Sequence, residues 1–253
     1  DLQTGAIEVA SLNAAGQLTG VGIVALSGQA ISDDGRYVVY ASNAGNIVPG
    51  VGSGTIQVYV RDLATDTTTL ASRSAAGAAA NSQSDLGAIS PNGRFVSFRS
   101  FATNLAGGPF ASRVYVHDRV TLATSSGPLP VLNAVTATGC RENDVADNGV
   151  VVLTCFFGSG LFDQVYLHIP GAVGTPFLIS SDINDAAGNQ VSGTRVAIDA
   201  SGLSMIFDSL ASNLVGNDFN GVSDSFILID EGILEGDHIV VEGQARDTYQ
   251  VGR

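Results

Sequence analysis

The chain has 253 residues, of which 45% are hydrophobic and 14% are charged, and its net charge is −13 at pH 7. This composition favours a globular β protein and excludes an intrinsically disordered chain, which requires low hydrophobicity and high charge density. All basic residues are arginines and none cluster, so we expect neither a nucleic-acid partner nor binding to an anionic membrane surface.

The N-terminal segment repeats a later part of the chain. The stretch DLQTGAIEVASLNAAG, from Asp1 to Gly16, matches DLATDTTTLASRSAAG, from Asp62 to Gly77. The second copy follows a strand-like segment, Gln57–Arg61, and is therefore the last piece of a larger unit. We predict that residues 6–13 form an outer β-strand. The other strands of its repeat do not precede it in this sequence. No basic and apolar leader precedes this strand, so we expect a cytosolic protein or one whose signal was removed.

A hairpin pattern occurs four times along the chain. In each copy a small apolar segment runs into Asp, Asn or Ser followed by Gly, and a β-branched or aromatic segment follows. The turn glycines are spaced by 58, 56 and 53 positions. The four hairpins are Ala30–Ser42, Ala88–Ser100, Val145–Cys155 and Ala197–Ser209.

Each hairpin is followed by further strand-like segments. The predicted third strands are Ile56–Asp62, Ser112–Asp118, Asp163–Ile169 and Asp224–Asp230. The predicted fourth strands, which follow only the first three hairpins, are Thr67–Ser74, Thr121–Gly127 and Pro176–Asp182. Four-stranded repeats without helical periodicity predict an all-β protein, a β-propeller with four blades of four antiparallel strands. The repeats fall near residues 30–77, 88–127, 145–182 and 197–230.

The histidines do not form a recognisable catalytic motif. His117 and His168 occupy equivalent places in successive third strands, where the first repeat has Arg61. We interpret this position as a solvated one. No G-x-S-x-G elbow, H-E-x-x-H pair, phosphate-binding loop or C-x-x-C is found in the sequence. Two carboxylates could still meet in a central channel, so an enzyme remains the alternative.

The third repeat contains both cysteines and the most apolar stretch. Val150–Phe162 is too short to span a bilayer, so no membrane span is expected. Cys140 and Cys155 lie almost symmetrically about the turn at Asp147–Gly149. A simple hairpin therefore places them within about one residue of facing each other, near the reach of a disulfide. Two buried free thiols are the alternative.

The loop NDFNGVSD in the fourth repeat is a candidate calcium site. Asp218, Asn220 and Asp224 offer side-chain oxygens, and the carbonyl of Val222 can point inward. Such oxygens are the ligands that Ca²⁺ prefers in proteins, and a metal here would be structural. The alternative is a turn whose Asn and Asp side chains cap their own backbone.

The C-terminal tail, residues 231–253, follows the last repeat. Its segment HIVVEGQARDTYQV has strand-like composition. It could cover the propeller, lead to a further domain, or pair with another subunit.

The repeat residues resemble a known family. DDGRYVVYAS, SNLV and NGVSD are similar to the TolB-type, WD-repeat-like propeller repeats of secreted and periplasmic bacterial proteins. The resemblance implies a propeller fold and a secreted, extracellular or periplasmic location. It also favours the Cys140–Cys155 disulfide over two free thiols, because disulfides persist in oxidising compartments.

The strand count predicts how the ring closes. The last repeat lacks an outer strand, and the N-terminal strand at residues 6–13 can supply it by pairing with residues 224–230. The same strand could instead complete the ring of a neighbouring molecule, which in an open arrangement builds a filament.

The functional prediction is a non-catalytic, secreted or cell-surface module. It would act through self-association or through a surface partner, by strand exchange from a terminal segment. The alternative is a propeller enzyme of the lyase or glycosidase kind that uses the central channel.

Overall fold

The computed structural model describes residues 7, 9–13, 15–19, 23–25, 29–105, 111–158, 160–171, 175–216, 218 and 220–229. Within these residues the chain forms β-strands and no helices. The predicted tail at residues 231–253 lies outside the described part of the chain. The all-β prediction is therefore confirmed for the described part.

Four antiparallel sheets follow one another along the chain, each built from consecutive strands. The first sheet has the order β1 (Ile23–Ala25), β2 (Tyr37–Ser42), β3 (Gln57–Asp62), β4 (Thr67–Leu70). The second has the order β5 (Ser84–Ile89), β6 (Phe95–Ser100), β7 (Arg113–Asp118), β8 (Thr124–Ser125).

The third and fourth sheets repeat this order, but the fourth is one strand shorter. The third sheet contains β11 (Gly139–Val145), β12 (Val151–Phe156), β13 (Gln164–His168) and β14 (Phe177–Leu178). The fourth contains β15 (Ser192–Ile198), β16 (Ser204–Ser209) and β17 (Asp224–Ile229). A small separate hairpin, β9 (Val131–Leu132) and β10 (Val135–Thr136), was not predicted.

The predicted hairpin turns are present in all four sheets. Their glycines have positive φ, between 70° at Gly35 and 84° at Gly149. Gly93 meets a second requirement, because a Cβ there would lie 2.3 Å from the Tyr37 ring of the preceding sheet. The turn residue is therefore fixed by backbone conformation and by the close approach of the neighbouring sheet.

Several strand boundaries differ from the prediction: the fourth strands β4, β8 and β14 are shorter than predicted, and the first strands β5, β11 and β15 begin earlier. The first strand of the first sheet is Ile23–Ala25, whereas the sequence pattern indicated a segment beginning at Ala30. Residues after Ala30 contribute only an isolated bridge between Ile31 and Val38. The register between β1 and β2 shifts between Ile23 and Ala25. The pairing with β2 therefore lies at residues 23–25, before the predicted start at Ala30.

The hydrophobic core lies between successive sheets. The second and third sheets each pack one face on the sheet before and the other on the sheet after, and buried clusters fill these three interfaces. The first interface contains Val39, Val58, Phe98 and Tyr115; the second Val114, Val116, Val151 and Leu153; the third Val152, Leu167, Phe207 and Phe226.

Hydrogen bonds between turns link the sheets in sequence. The backbone N–H of Asp33 donates to Pro91 O in the next sheet, at 2.8 Å. Asn92 N donates to the side chain of Asp147 at 2.7 Å. Asp147 N in turn donates to Ala200 O at 2.9 Å. These contacts give all four sheets the same relative placement at this end of the molecule.

Candidate functional site: the outer edge of the fourth sheet

The fourth sheet has an open edge in the described part of the chain. The third strands β3, β7 and β13 each pair with an outer fourth strand. Within the described residues β17 pairs only with β16. Its outer backbone groups therefore form an edge that can accept another strand.

Isoleucines are exposed on the face of the fourth sheet that points away from the third sheet. Ile206 and Ile227 are cross-strand partners and are 41% and 37% exposed. The equivalent pair in the first sheet, Val39 and Val60, is 0% and 1% exposed. Ile229, two residues further on the same face, is 59% exposed. We call Ile206, Ile227 and Ile229 the isoleucine strip, and it lies where the other sheets are covered by a neighbour.

The N-terminal segment lies against the first sheet. Leu12 O accepts hydrogen bonds from Tyr40 Oη at 3.3 Å and from Thr68 Oγ1 at 3.2 Å. One sheet later, Arg73 O accepts from Thr124 Oγ1 at 2.7 Å. The segment around Leu12 therefore occupies, on the first sheet, the place that the segment around Arg73 occupies on the second.

The local backbone strengthens this equivalence. Leu12 forms an isolated bridge with Leu18, as Arg73 does with Ala79. The side chain of Asn13 accepts from the backbone N–H groups of Ala15 and Gln17, at 2.9 and 2.8 Å. This capped turn explains why the sequence match extends to Gly16.

The described residues of the predicted N-terminal strand, 7 and 9–13, show no pairing with the fourth sheet. Ile7 is 96% exposed and Val9 is 49% exposed, and neither belongs to a strand. Closure of the ring by residues 6–13 thus stays a prediction. In the described part of the chain, Ile7 and Val9 expose apolar side chains, and so does the isoleucine strip beside the unpaired edge of β17.

Arg61 and His117 are buried, so their interpretation as solvated positions is wrong. Their exposures are 1% and 3%. An Arg61 guanidinium N–H donates to Thr68 Oγ1 at 3.4 Å, and Arg61 also pairs with Asp66. His117 Nδ1 lies 3.0 Å from Thr124 Oγ1, and burial lowers the pKa of His117 to about 4.

These basic residues act in contacts between sheets. Thr124 Oγ1 donates its one proton to Arg73 O, so His117 Nδ1 must be the donor to Thr124. Arg61, Thr68 and Leu12 O form the same series of hydrogen bonds one sheet earlier. We call each series, from a basic side chain through a threonine hydroxyl to a backbone carbonyl, a relay. Sequence alone did not reveal this role, because each relay ends on a carbonyl more than fifty residues away.

Asp144 is a buried carboxyl that the sequence analysis missed. It lies on the inner strand β11, and burial raises its pKa to about 6. Its oxygens accept from the backbone N–H of Ile198 at 3.2 Å, of Val145 at 3.0 Å, and of Gln29. One carboxyl thus joins the third and fourth sheets to Gln29 of the first repeat, which is a structural role.

The candidate calcium loop has the geometry of a capped turn. Asn220 Nδ2 donates to Asp224 Oδ2 at 2.7 Å, and Asn220 Oδ1 accepts from Val222 N at 3.0 Å. Asp218 is 6% exposed. No three His, Cys, Asp or Glu side chains of the described chain lie close enough together to hold a metal ion. Calcium binding by this loop stays a prediction.

The predicted disulfide is present. Cys140 and Cys155 are bonded, with Sγ atoms 2.02 Å apart. The two residues are direct cross-strand partners on β11 and β12. The near-symmetry of the cysteines about their turn therefore predicted the register of this hairpin.

Comparison with known proteins adds no assignment: neither a family model nor a curated protein sequence matches this chain. Among the described residues there is no helix with the length and apolar character needed to cross a membrane.

Proposed function

We propose that this chain is a secreted interaction module, a four-bladed β-propeller that assembles with other copies of itself by adding a β-strand to β17. The proposed module is non-catalytic and is located outside the cell or in the periplasm. The observation that carries it is the edge of β17, which lies beside the isoleucine strip and has no partner strand among the described residues. In each of the other three sheets a fourth strand occupies this edge.

The hydrogen bonds of Asp144 support a ring. Its carboxyl on the third sheet accepts from Ile198 on the fourth sheet and from Gln29, which precedes the first hairpin. Gln29 O also accepts from Ile89 N of the second sheet at 2.7 Å. Inner segments from four successive repeats thus meet around a small common region, as expected for blades about an axis.

Strand addition is the interaction that an open edge supports best. Pairing satisfies backbone N–H and C=O groups on both partners, and side-chain contacts supply specificity. Proteins usually protect such edges with charges, proline or a covering segment. Here the exposed side chains beside the edge are isoleucines, which favour association over protection.

The disulfide supports the location. A disulfide between cross-strand cysteines persists in oxidising compartments and is rare in the cytosol. The TolB-type resemblance of the hairpins points to the same compartment.

Mass measurement in solution tests the proposal. Light scattering of the wild-type protein should show multimers whose mass rises with protein concentration. Ile227→Asp and Ile206→Asp place a charge in the isoleucine strip and should each return the protein to a monomer. Ile183→Asp changes an isoleucine that is 80% exposed elsewhere and is the matched control.

Thermal melts must show that the variants fold. A wild-type protein that stays monomeric at every concentration would overturn the proposal. The same conclusion would follow if folded Ile227→Asp and Ile206→Asp variants assembled as the wild type does.

A further inference from the structure

We propose that a cavity between the second and third sheets is a binding site for one small monovalent anion, about the size of chloride. The site is separate from the edge of β17 and does not depend on assembly. Two hydroxyl contacts that recur in the other sheets are lost at this cavity. The hydrogen-bond donors that remain there lack an acceptor and are what the anion would bind.

The cavity lies between β7, the outer segment at residues 127–129 and the third sheet. Its inner wall is apolar and belongs to the buried cluster that joins the two sheets. Among its described lining residues there is no Asp or Glu. Its free space holds about one group of the size of a water molecule, which limits the ligand to a small ion or a water. The lining residues at its outer end are Arg113, Val114, Pro128, His168 and Pro176.

A serine hydroxyl occupies the equivalent place in the first and third sheets. Ser72 Oγ accepts from Val58 N at 3.0 Å and donates to Gln57 Oε1 at 2.6 Å. In the third sheet Ser180 Oγ donates to Gln164 Oε1 at 2.6 Å. It also accepts from the backbone N–H of the residue after that glutamine, at 2.9 Å. In both sheets the hydroxyl therefore satisfies one backbone donor and one side-chain acceptor of the third strand.

The second sheet lacks both the serine and the glutamine. Arg113 is the first residue of β7, as the two glutamines are of β3 and β13. Ser72 and Ser180 each lie three residues after the outer-strand residue that faces the fourth residue of the third strand. In the second sheet that outer-strand residue is Ser125, so Pro128 takes the place of the serine.

These two replacements change the hydrogen-bonding chemistry in the same direction. Proline has no hydroxyl, and the arginine side chain only donates where the glutamine oxygen accepted. The backbone donor equivalent to Val58 N is Val114 N, since both belong to the second residue of the third strand. Two donors of the second sheet, from Arg113 and Val114, thus lie beside a cavity that has no serine oxygen.

Arg113 has no carboxylate partner among the described residues. Its Nη1 donates to Gly127 O at 3.1 Å, and its Nε is buried with no acceptor in the described part of the chain. Arg61 and Arg141 also have such an Nε, but each forms an ion pair with an aspartate. A guanidinium that has lost part of its hydration is compensated better by an anion than by a neutral ligand.

His168 brings another polar group to the same cavity without a partner. The register of β13 and β14 places Pro176 opposite His168. The second sheet has the relay residue Thr124 at this position. The His168 ring lies against Gly127, where a Cβ would be 2.5 Å from Nδ1. No hydrogen bond joins this ring to another of the described residues, so a second proline has removed a second hydroxyl here.

The remaining groups select an anion rather than a water molecule. Arg113 Nε, Val114 N and an N–H of His168 are all donors. A water molecule must also donate two protons, and the lining side chains contain no oxygen that could receive them. A halide only accepts, so it satisfies the donors and supplies the negative charge that the cavity lacks.

Anomalous diffraction from crystals grown in sodium bromide tests the site directly, because bromide is a heavier analogue of chloride. We expect an anomalous peak within hydrogen-bond distance of Arg113 Nε and Val114 N. Density there without an anomalous signal would identify an internal water only and would overturn the proposal. An empty cavity in bromide crystals would overturn it as well.

Broadening of the ³⁵Cl NMR signal by the protein measures chloride binding in solution. The Arg113→Gln, Pro128→Ser double variant restores the serine and glutamine of the other sheets and should fold without the site. Its dissociation constant for chloride should be raised by about tenfold or more, the value of one hydrogen bond to a charged group. Arg195→Gln, at an exposed position of β15, is the matched control and should behave as the wild type does.

Thermal melts must show that the double variant folds, and Arg113→Gln alone replaces it if it does not. Equal broadening by the wild type and the folded variant would overturn the proposal, and so would a wild type that causes no broadening. Neither result bears on assembly at β17, which is measured by mass.

Discussion

Asp144 shows how one side chain can link several sheets. Its carboxyl is 4% exposed and accepts backbone hydrogen bonds from segments that are far apart in sequence. Burial without a cation partner disfavours the charged form, which is why its pKa is raised. The stability of the inner strands is therefore linked to pH.

Replacing Asp144 by Asn should change the pH dependence of stability. The pKa of about 6 in the folded protein exceeds 3.8, the ordinary pKa of an aspartate carboxyl. The protonated carboxyl therefore stabilises the fold below about pH 4, and this contribution is lost as pH rises through about 6. Relative to Asp144→Asn, the wild-type free energy of unfolding should fall by up to about 3 kcal/mol over this window.

Urea denaturation of both proteins from pH 4 to pH 7 measures that difference. His117 acts in the opposite direction, because its lowered pKa gives stability that is lost as pH falls from 6.5 to about 4. Both proteins contain His117, so its effect cancels in the comparison. Asp185→Asn, at an exposed turn, is the control. A constant difference across the window would contradict the role of Asp144.

The elements are held together by contacts that repeat from sheet to sheet. A hydroxyl on each of β4 and β8 donates to a carbonyl of the preceding outer segment. These hydrogen bonds take the place of bonds to water for the groups that become buried where the two segments meet. Loss of one hydroxyl leaves a buried donor and a buried acceptor unpaired, which costs more than the hydrogen bond itself.

Thr124→Val should destabilise the protein by about 1–3 kcal/mol. It preserves the shape of the side chain but leaves His117 Nδ1 and Arg73 O without their partner. Thr124→Ser keeps the hydroxyl and should be closer to the wild type. Chemical denaturation measures both, and equal stabilities of the two variants would argue against the relay.

The disulfide is the covalent element of the third sheet. It closes a loop with a sequence separation of 15 between Cys140 and Cys155. In the chain-entropy model such a loop stabilises by about 3 kcal/mol. The Cys140→Ala, Cys155→Ala double variant should therefore melt at a lower temperature than the wild type. Reductant should lower the wild-type melting temperature and leave that of the variant unchanged.

Local signals in the sequence predicted the elements well. Asn-Gly, Asp-Gly and Ser-Gly turns determine hairpins within a few residues, and the cysteines determine one register. The burial of Arg61 and His117 could not be predicted in this way, because it depends on segments of the preceding repeat. The same holds for Asp144, whose backbone partners lie on the third sheet, on the fourth sheet and at Gln29 in the first repeat. Ser72 and Ser180 donate to Gln57 and Gln164 of the adjacent third strands, and these repeated Gln and Ser positions carry a signal that the repeat alignment could have found.

At the scale of the whole molecule, net charge opposes assembly. Copies with a charge of −13 repel one another, and the attraction at the edge must exceed this repulsion. Salt screens charges, with a Debye length of about 10 Å at 0.1 M and about 3 Å at 1 M. The multimer mass at fixed protein concentration should therefore rise with ionic strength. A decrease would show that ion pairs, rather than backbone pairing and isoleucines, hold the copies together.

Strand addition at β17 is the central claim, and hydrogen exchange tests it most directly. Every second amide of β17 points away from β16, and these outward amides, like those of the segment around Ile7, should exchange quickly in dilute monomer. Both should become protected together, by at least tenfold, as the protein concentration and the multimer mass rise. Multimers that form while exchange in both segments stays fast would contradict the claim.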